Sequence, residues 1–262
     1  MSIAERLALD PAGDAADAFV NREPTDPHHV FGGLVVAHAL GAAWATVGGR
    51  GPCSLHASFV AAGTGGEPIR YEVERTRDGS SFSTRRVVAR QANGAILVLT
   101  ADFHADEDGP EYAVPPVPGV PGPDDVPAGR YHSALFESRD VPPTGDVPHA
   151  RRAWFRAGAP VPDDPTVHLL ALAMLTDFGP TRAAREPHAR LADEANRQSV
   201  SLDHSVWFHR PARVDGWLLS ELVPVSTGRG RGLAMGTVRD ASGTLLASFA
   251  QEVLLRDRRA VR

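Results

Sequence analysis

The sequence predicts an α+β fold in which one unit is built twice, and three observations predict it. Two nearly all-apolar helical stretches, Val30 to Gly49 and Thr166 to Phe178, are each followed by strand-like runs. The turn and strand Asn93-Gly94-Ala95-Ile96-Leu97-Val98-Leu99-Thr100-Ala101-Asp102-Phe103 lie against Ser242-Gly243-Thr244-Leu245-Leu246-Ala247-Ser248-Phe249-Ala250-Gln251-Glu252. Ser54-Leu55-His56 lies against Ser201-Leu202-Asp203, in the same order within each half. This register sets His56 opposite Asp203 and Asp102 opposite Gln251. A helix apolar on every face is a buried helix. A meander following it implies an antiparallel sheet wrapped around that helix.

In chain order, Ala4 to Leu9 carries a helical turn or two before Pro11, and the prolines of Glu23 to His29 mark a loop. The first long helix opens on Gly32-Gly33, where another group can approach the backbone closely. Strand runs follow at Cys53 to Ala61, Glu67 to Arg75, Ser81 to Arg90 and Ala95 to His104. Pro115 to Pro123 holds neither helix nor central strand. Residues 105–144 therefore read as an extended linker between a first unit, 1–104, and a second, 145–262. The second unit begins with a strand at Ala150 to Ala157. Asp164 then caps a helix that has Pro165 at its first position. A polar stretch from Thr181 to Gln198 reads as loop with some helix. Strand runs at Val200 to His209, Trp217 to Val225, Gly232 to Arg239 and Thr244 to Leu255 close the chain.

Composition narrows the function classes. A formal net charge of −5 leaves no basic footprint for nucleic acid. No apolar run reaches the ~18 residues of a membrane span, and Met1 to Asp10 lacks a secretory pattern. A cytoplasmic protein is the expectation, by default. The single cysteine, Cys53, excludes an internal disulfide and reads as a small buried hydrophobe. His28-His29 reads as a loop pair rather than a metal pair, and no metal is expected.

Ser201 to Pro211 carries the chemistry. Its alternation sends Leu202, His204, Val206 and Phe208 one way and Asp203, Ser205, Trp207 and His209 the other. Asp203 beside Trp207 has two readings: a general base tuned by partial desolvation, or a strand-edge carboxylate satisfied by backbone amides.

Val30-Phe31-Gly32-Gly33, Arg75-Thr76-Arg77-Asp78-Gly79-Ser80-Ser81-Phe82, Asp203-His204-Ser205-Val206-Trp207-Phe208-His209-Arg210 and Gln251-Glu252 together resemble the acyl-CoA thioesterase II family, the bacterial TesB type. The resemblance covers nearly the whole chain outside the proline-rich linker. It implies a double hotdog, two helices each wrapped by a sheet, and hydrolysis of an acyl-CoA to free acid and CoA. It implies a water held among Asp203, Gln251 and a hydroxyl at Ser226 or Thr227, although an ungapped match puts Val225 at the hydroxyl position. Substrate contacts are expected at Gly32, Gly33 and Leu34, where the family carries Gln in place of leucine. Ala61-Ala62-Gly63 likewise replaces the family's Arg-Pro-Gly.

CoA enters only as part of the substrate, with no separate cofactor. Its phosphates would meet Arg85, Arg86, Arg229 or Arg231 as bidentate donors, unless these form a solvated charged face. Sheet edges that need covering suggest a homo-oligomer. The alternative from another class is an acyl-CoA or acyl-carrier binding protein of this fold that no longer hydrolyses. A hydratase would need an acid beside His38, and none is there.

Overall fold

The computed structural model describes all residues except 14, 29, 132, 189–196 and 258–262. The pair His28-His29 and the middle of the polar stretch 181–198 thus fall partly outside the described residues. Among the described residues thirteen strands form one continuous sheet. Its first half comprises β1 (Leu9–Pro11), β2 (Ala18–Asn21), β3 (Gly51–Phe59), β4 (Arg70–Asp78), β5 (Phe82–Gln91) and β6 (Gly94–His104). Its second half comprises β7 (Phe136–Val141), β8 (Arg151–Ala157), β9 (Arg197–Ser201), β10 (Asp203–Phe208), β11 (Leu218–Gly228), β12 (Arg231–Asp240) and β13 (Leu245–Asp257). The strand order β1-β2-β4-β5-β6-β3 continues as β10-β13-β12-β11-β8-β7, so the halves meet where β3 pairs antiparallel with β10. This is the double hotdog.

Helix α2 (Gly32–Trp44) is buried from Gly33 to Leu40 and again at Ala42 and Ala43, and it lies directly on β3 to β6. Its glycines and alanines permit that approach. Helix α3 (Pro165–Leu175) starts as its sequence dictates, with Asp164 accepting from the Thr166 N–H at 2.8 Å and Pro165 in the first turn. It packs on α2 and on the N-terminal α1 (Ile3–Leu7), which a Ser2–Glu5 capping box opens. A fourth helix, α4 (Pro180–Arg185), lies within the polar stretch and covers β11, β12 and β13. One apolar core runs through both halves.

The stretch read as a linker is not free chain. Residues 136–141 pair with β8 as β7, and Trp154 Nε1 donates to the Pro121 carbonyl at 3.0 Å. Arg239 donates to the Val114 carbonyl at 2.7 Å, and Val126 and Val141 pack on Trp154 in a small separate core. Apolar valines here had something to cover, and the prolines only limit how they do it.

The repeat is real in architecture but its register differs from the sequence alignment. Hairpin β5–β6 skips Ile96 between Ala95 and Leu97, and β12–β13 skips Leu246 in the same way. Matching these bulges and following the ladders to β3 and β10 sets Ala101 against Gln251 and Ser54 against Asp203. His56 instead corresponds to Ser205, its cross-strand partner, with His56 Nδ1 and Ser205 Oγ 3.1 Å apart and Trp207 packed edge-on against the ring. The second turn holds one residue more than the first, which is why matching Gly94 to Gly243 misaligns the strands. Thr46 and Thr176 are also equivalent, each donating back to the carbonyl three residues earlier, so Val47 corresponds to Asp177. The carboxylates and the amide belong to the second half alone.

Candidate active site

The polar centre of the molecule lies where the C-terminal end of α3 meets the N-terminus of α2. Gln251 on β13 is wholly buried, opposite buried Ala234 of β12. Its Nε2 donates to Ser201 Oγ at 2.6 Å, while its Oε1 has no hydrogen-bond partner among the described residues. A buried orphan acceptor is costly unless something else meets it. The carboxamide also lies against the carboxylate of Asp177 and the ring of His204. His204, wholly buried, has its Nε2 2.8 Å from Thr176 Oγ1, and burial pushes its pKa down to about 4.

Asp177 follows α3 by two residues. Burial pushes its pKa up to about 7, against the opposing pull of the Gln251 amide and the Gly33 N–H. Two helix-opening glycines make room for it. A Cβ on Gly32 would stand 2.9 Å from the Phe59 ring and 3.0 Å from Asp177 Oδ2. A Cβ on Gly33 would stand 2.6 Å from the Met174 carbonyl oxygen and 2.8 Å from the Phe31 ring. Because Met174 contributes rigid backbone there, Gly33→Ala is expected to cost about 1–3 kcal/mol of stability, read as a lowered midpoint of thermal unfolding.

Asp203 stands at the kink between β9 and β10. Its Oδ1 accepts from the Glu252 N–H at 2.7 Å, and the neighbouring Leu202 N–H donates to the Glu252 carbonyl at 2.9 Å. Asp203 is thus tied to the residue beside Gln251 through the main chain. Phe59 N–H donates to the Leu202 carbonyl at 2.9 Å, which brings the kink beside the Phe59 ring that touches Gly32. One oxygen of Asp203 is satisfied by a backbone amide, and the residue is half-exposed at the junction of the halves.

The expected hydroxyls are placed elsewhere. A bulge between Pro224 and Ser226 turns Val225 outward, 52% exposed, and leaves Ser226 exposed too. Thr227 pairs with buried Gly232 and has its Oγ1 2.6 Å from His188 Nε2. Neither hydroxyl hydrogen-bonds to Asp203 or Gln251 among the described residues, and Ser201 is the hydroxyl that meets the carboxamide. Leu34 is buried in the core.

Of the arginines, Arg85 is a correction. It is 1% exposed and binds Thr46 Oγ1 at 2.8 Å, the carbonyls of Thr46, Arg77 and Thr84, and Asp78 at 2.7 Å. A guanidinium so engaged is a strut between β5 and the end of α2. Arg86 pairs with Glu74 at 3.4 Å, and Arg231 with Glu252 at 3.4 Å, both half-exposed. Arg229 sits in the β11–β12 turn with φ 51°.

Asp177, Thr176, Ser201 and His204 escaped the sequence reading as site residues. One signal existed for Asp177, because an acid at a helix C-terminus opposes the helix dipole and so asks for a reason. Cys53 is half-buried, donating to the Asp102 carbonyl at 3.3 Å. Among the described residues no group of three or more potential ligands could hold a metal, and no helix is long and apolar enough to cross a membrane.

Residues 21–104 match the model of the acyl-CoA thioesterase N-terminal domain, and 106–255 that of the acyl-CoA thioesterase C-terminal domain. Acyl-CoA thioesterase 2 of Haemophilus influenzae is 33% identical, with 87% of each chain covered. Human acyl-coenzyme A thioesterase 8 is 32% identical, with 94% of this chain and 92% of that one covered. The crystal structure of the acyl-CoA thioesterase II TesB2 from Mycobacterium marinum superposes with a TM-score of 0.88 at 34% identity, covering 100% of both chains.

Proposed function

This chain belongs to the acyl-CoA thioesterase II family, the TesB-like hydrolases of acyl-CoA thioesters, and we propose that a water held at Gln251 does the cleaving. The observation that carries this reading is the buried carboxamide whose oxygen has no partner among the described residues, set against the Asp177 carboxylate at the glycine opening of α2 and next in sequence to Glu252, whose N–H donates to Asp203. A thioester carbonyl is electrophilic enough that no covalent nucleophile is needed.

In the proposed step Gln251 and Ser201 fix the water and align it. Asp203 takes one of its protons as oxygen attacks the carbonyl carbon. The oxyanion forms at the positive dipole end of α2 at Gly32-Gly33, where the Gly33 N–H also donates to Asp177. Its collapse breaks the C–S bond, the electron pair leaves on the CoA sulfur, Asp203 returns its proton to that sulfur, and free acid and CoA thiol result with Asp203 again ionised. Asp177 occupies that same helix opening. Its neutral form spares the oxyanion a neighbouring negative charge.

The test is a panel of short, medium and long acyl-CoAs with thiol release detected. Turnover on at least one chain length is expected. Tight binding without release on every one would favour a protein that holds acyl-CoA without cleaving it, and would remove the reading.

A further inference from the structure

A cleft of about 800 Å³ opens beside α4, between the segment 127–130 and the loop joining β7 to β8. Ligand sites of ~300–1,000 Å³ are the usual size for cofactor-sized molecules. Its charge runs against the rest of a chain whose net charge is −5. Arg130, Arg151, Arg152, Arg182 and Arg185 line it, against only Asp140 and Glu186.

Pairing inside the cleft leaves cations over. Arg152 is held by Asp146 at 2.7 Å and by Glu221. Arg151 pairs with Glu186 at 2.8 Å, and Arg130 stands 3.6 Å from Asp140. Arg182 and Arg185, half-buried and three residues apart on α4, have no ion-pair or hydrogen-bond partner among the described residues. Nε of Arg185 and Nε of Arg151 are both buried without a hydrogen-bond partner among the described residues. Two like charges at that helical spacing repel. Guanidinium groups placed so are suited to bidentate capture of phosphate.

A small hollow adjoins the cleft on the side of the α3 C-terminus. It shares Asp140, Arg151 and Arg152 with the cleft and continues to Tyr131, Phe155 and Phe178. Arg151 and Arg182 both act on the Tyr131 hydroxyl, and the Tyr131 and Phe178 rings pack edge to face, 6.1 Å apart. Phe178 directly follows Asp177.

We propose that Arg182 and Arg185, with Arg151, form the subsite for the phosphorylated end of the acyl-CoA substrate. This rests on the thioesterase reading. It replaces the sequence expectation that placed a phosphate contact on Arg85.

The test is the double variant Arg182→Ala/Arg185→Ala assayed on two thioesters of one acyl group, the CoA ester and the N-acetylcysteamine ester, which has no phosphate. KM for the CoA ester is expected to rise about tenfold or more, with kcat and turnover of the phosphate-free ester unchanged. An unchanged KM for the CoA ester, or an equal loss on both esters, would overturn the assignment. Calorimetry with adenosine 3′,5′-bisphosphate and with CoA decides it independently of turnover. Binding by the wild type that the double variant lacks upholds the subsite, and equal binding by both defeats it. Should no acyl-CoA be cleaved at all, the hydrolytic reading falls while calorimetry still judges the cleft.

Discussion

Asp203→Asn is expected to lower kcat by about 10²–10⁴-fold, the usual contribution of a positioned general base, while leaving the fold intact. The substitution is chosen for its geometry. An asparagine carbonyl oxygen can still accept the Glu252 N–H that Asp203 Oδ1 accepts at 2.7 Å, so the β10–β13 junction keeps its bond. What disappears is the ability to take a proton from water. KM should stay near its wild-type value, because the acyl-CoA contacts proposed here lie at Gly32-Gly33 and at the α4 cleft. Gln251→Ala should cost turnover as well, but it leaves Ser201 without its partner and opens a hollow in a wholly buried place. Its effect therefore mixes chemistry with stability, and Asp203→Asn is the cleaner measurement. Single-turnover kinetics with thiol detection, beside an unchanged circular dichroism spectrum, would check it. Wild-type kcat in that variant would move the base elsewhere, with Asp177 the next carboxylate in reach of Gln251.

The parts of the molecule legible in the sequence are those set by local periodicity. The all-apolar stretch from Val30 to Gly49 does hold a buried helix, over Gly32–Trp44, and Asp164-Pro165 opens α3 as the sequence has it, because burial on every face and a capped first turn are local facts. The Asp203 and Gln251 motifs were visible as residues but not as geometry. One extra residue in the second hairpin turn was enough to pair Asp102 with Gln251 on paper, when the ladder puts Ala101 there, and the short Ser-Leu match paired His56 with Asp203, when the ladder puts Ser54 there. Arg85 could have been read better: it alternates with Val87 and Ala89, which are buried, so it points inward with them. Asp177 was the hardest, since only tertiary packing brings the end of α3 to β13 and to the first turn of α2. The carboxylate that no motif announced is the one the fold perturbs most clearly within the site.

Asp177→Asn is accordingly expected to stabilise the protein at neutral and alkaline pH. The native state holds the Asp177 proton up to a pKa of about 7, against an ordinary carboxylate value of 3.8. Between those values the folded chain binds more protons than the unfolded one, so stability falls as pH rises from about 4 to about 7. A shift of this size is worth on the order of a few kcal/mol, because charging the group means charging it in a desolvated place. Asparagine carries no such cost. The variant should match the wild type near pH 3, where both forms are neutral, and unfold at a temperature several degrees higher at pH 8. The pH profile of kcat gives a second reading. Ionised Asp177 places negative charge beside Gly33, where the oxyanion is proposed to form, so wild-type kcat should decline as pH passes about 7 and the variant should lack that decline. His204, the other titratable ring against the carboxamide, has its pKa at about 4 and stays neutral across this window, so it does not supply the step. A variant whose melting curves track the wild type at every pH would mean that Asp177 ionises as freely in the folded chain as in the unfolded one, and the crowding by Phe59, Gly32 and Gln251 would then have no electrostatic consequence.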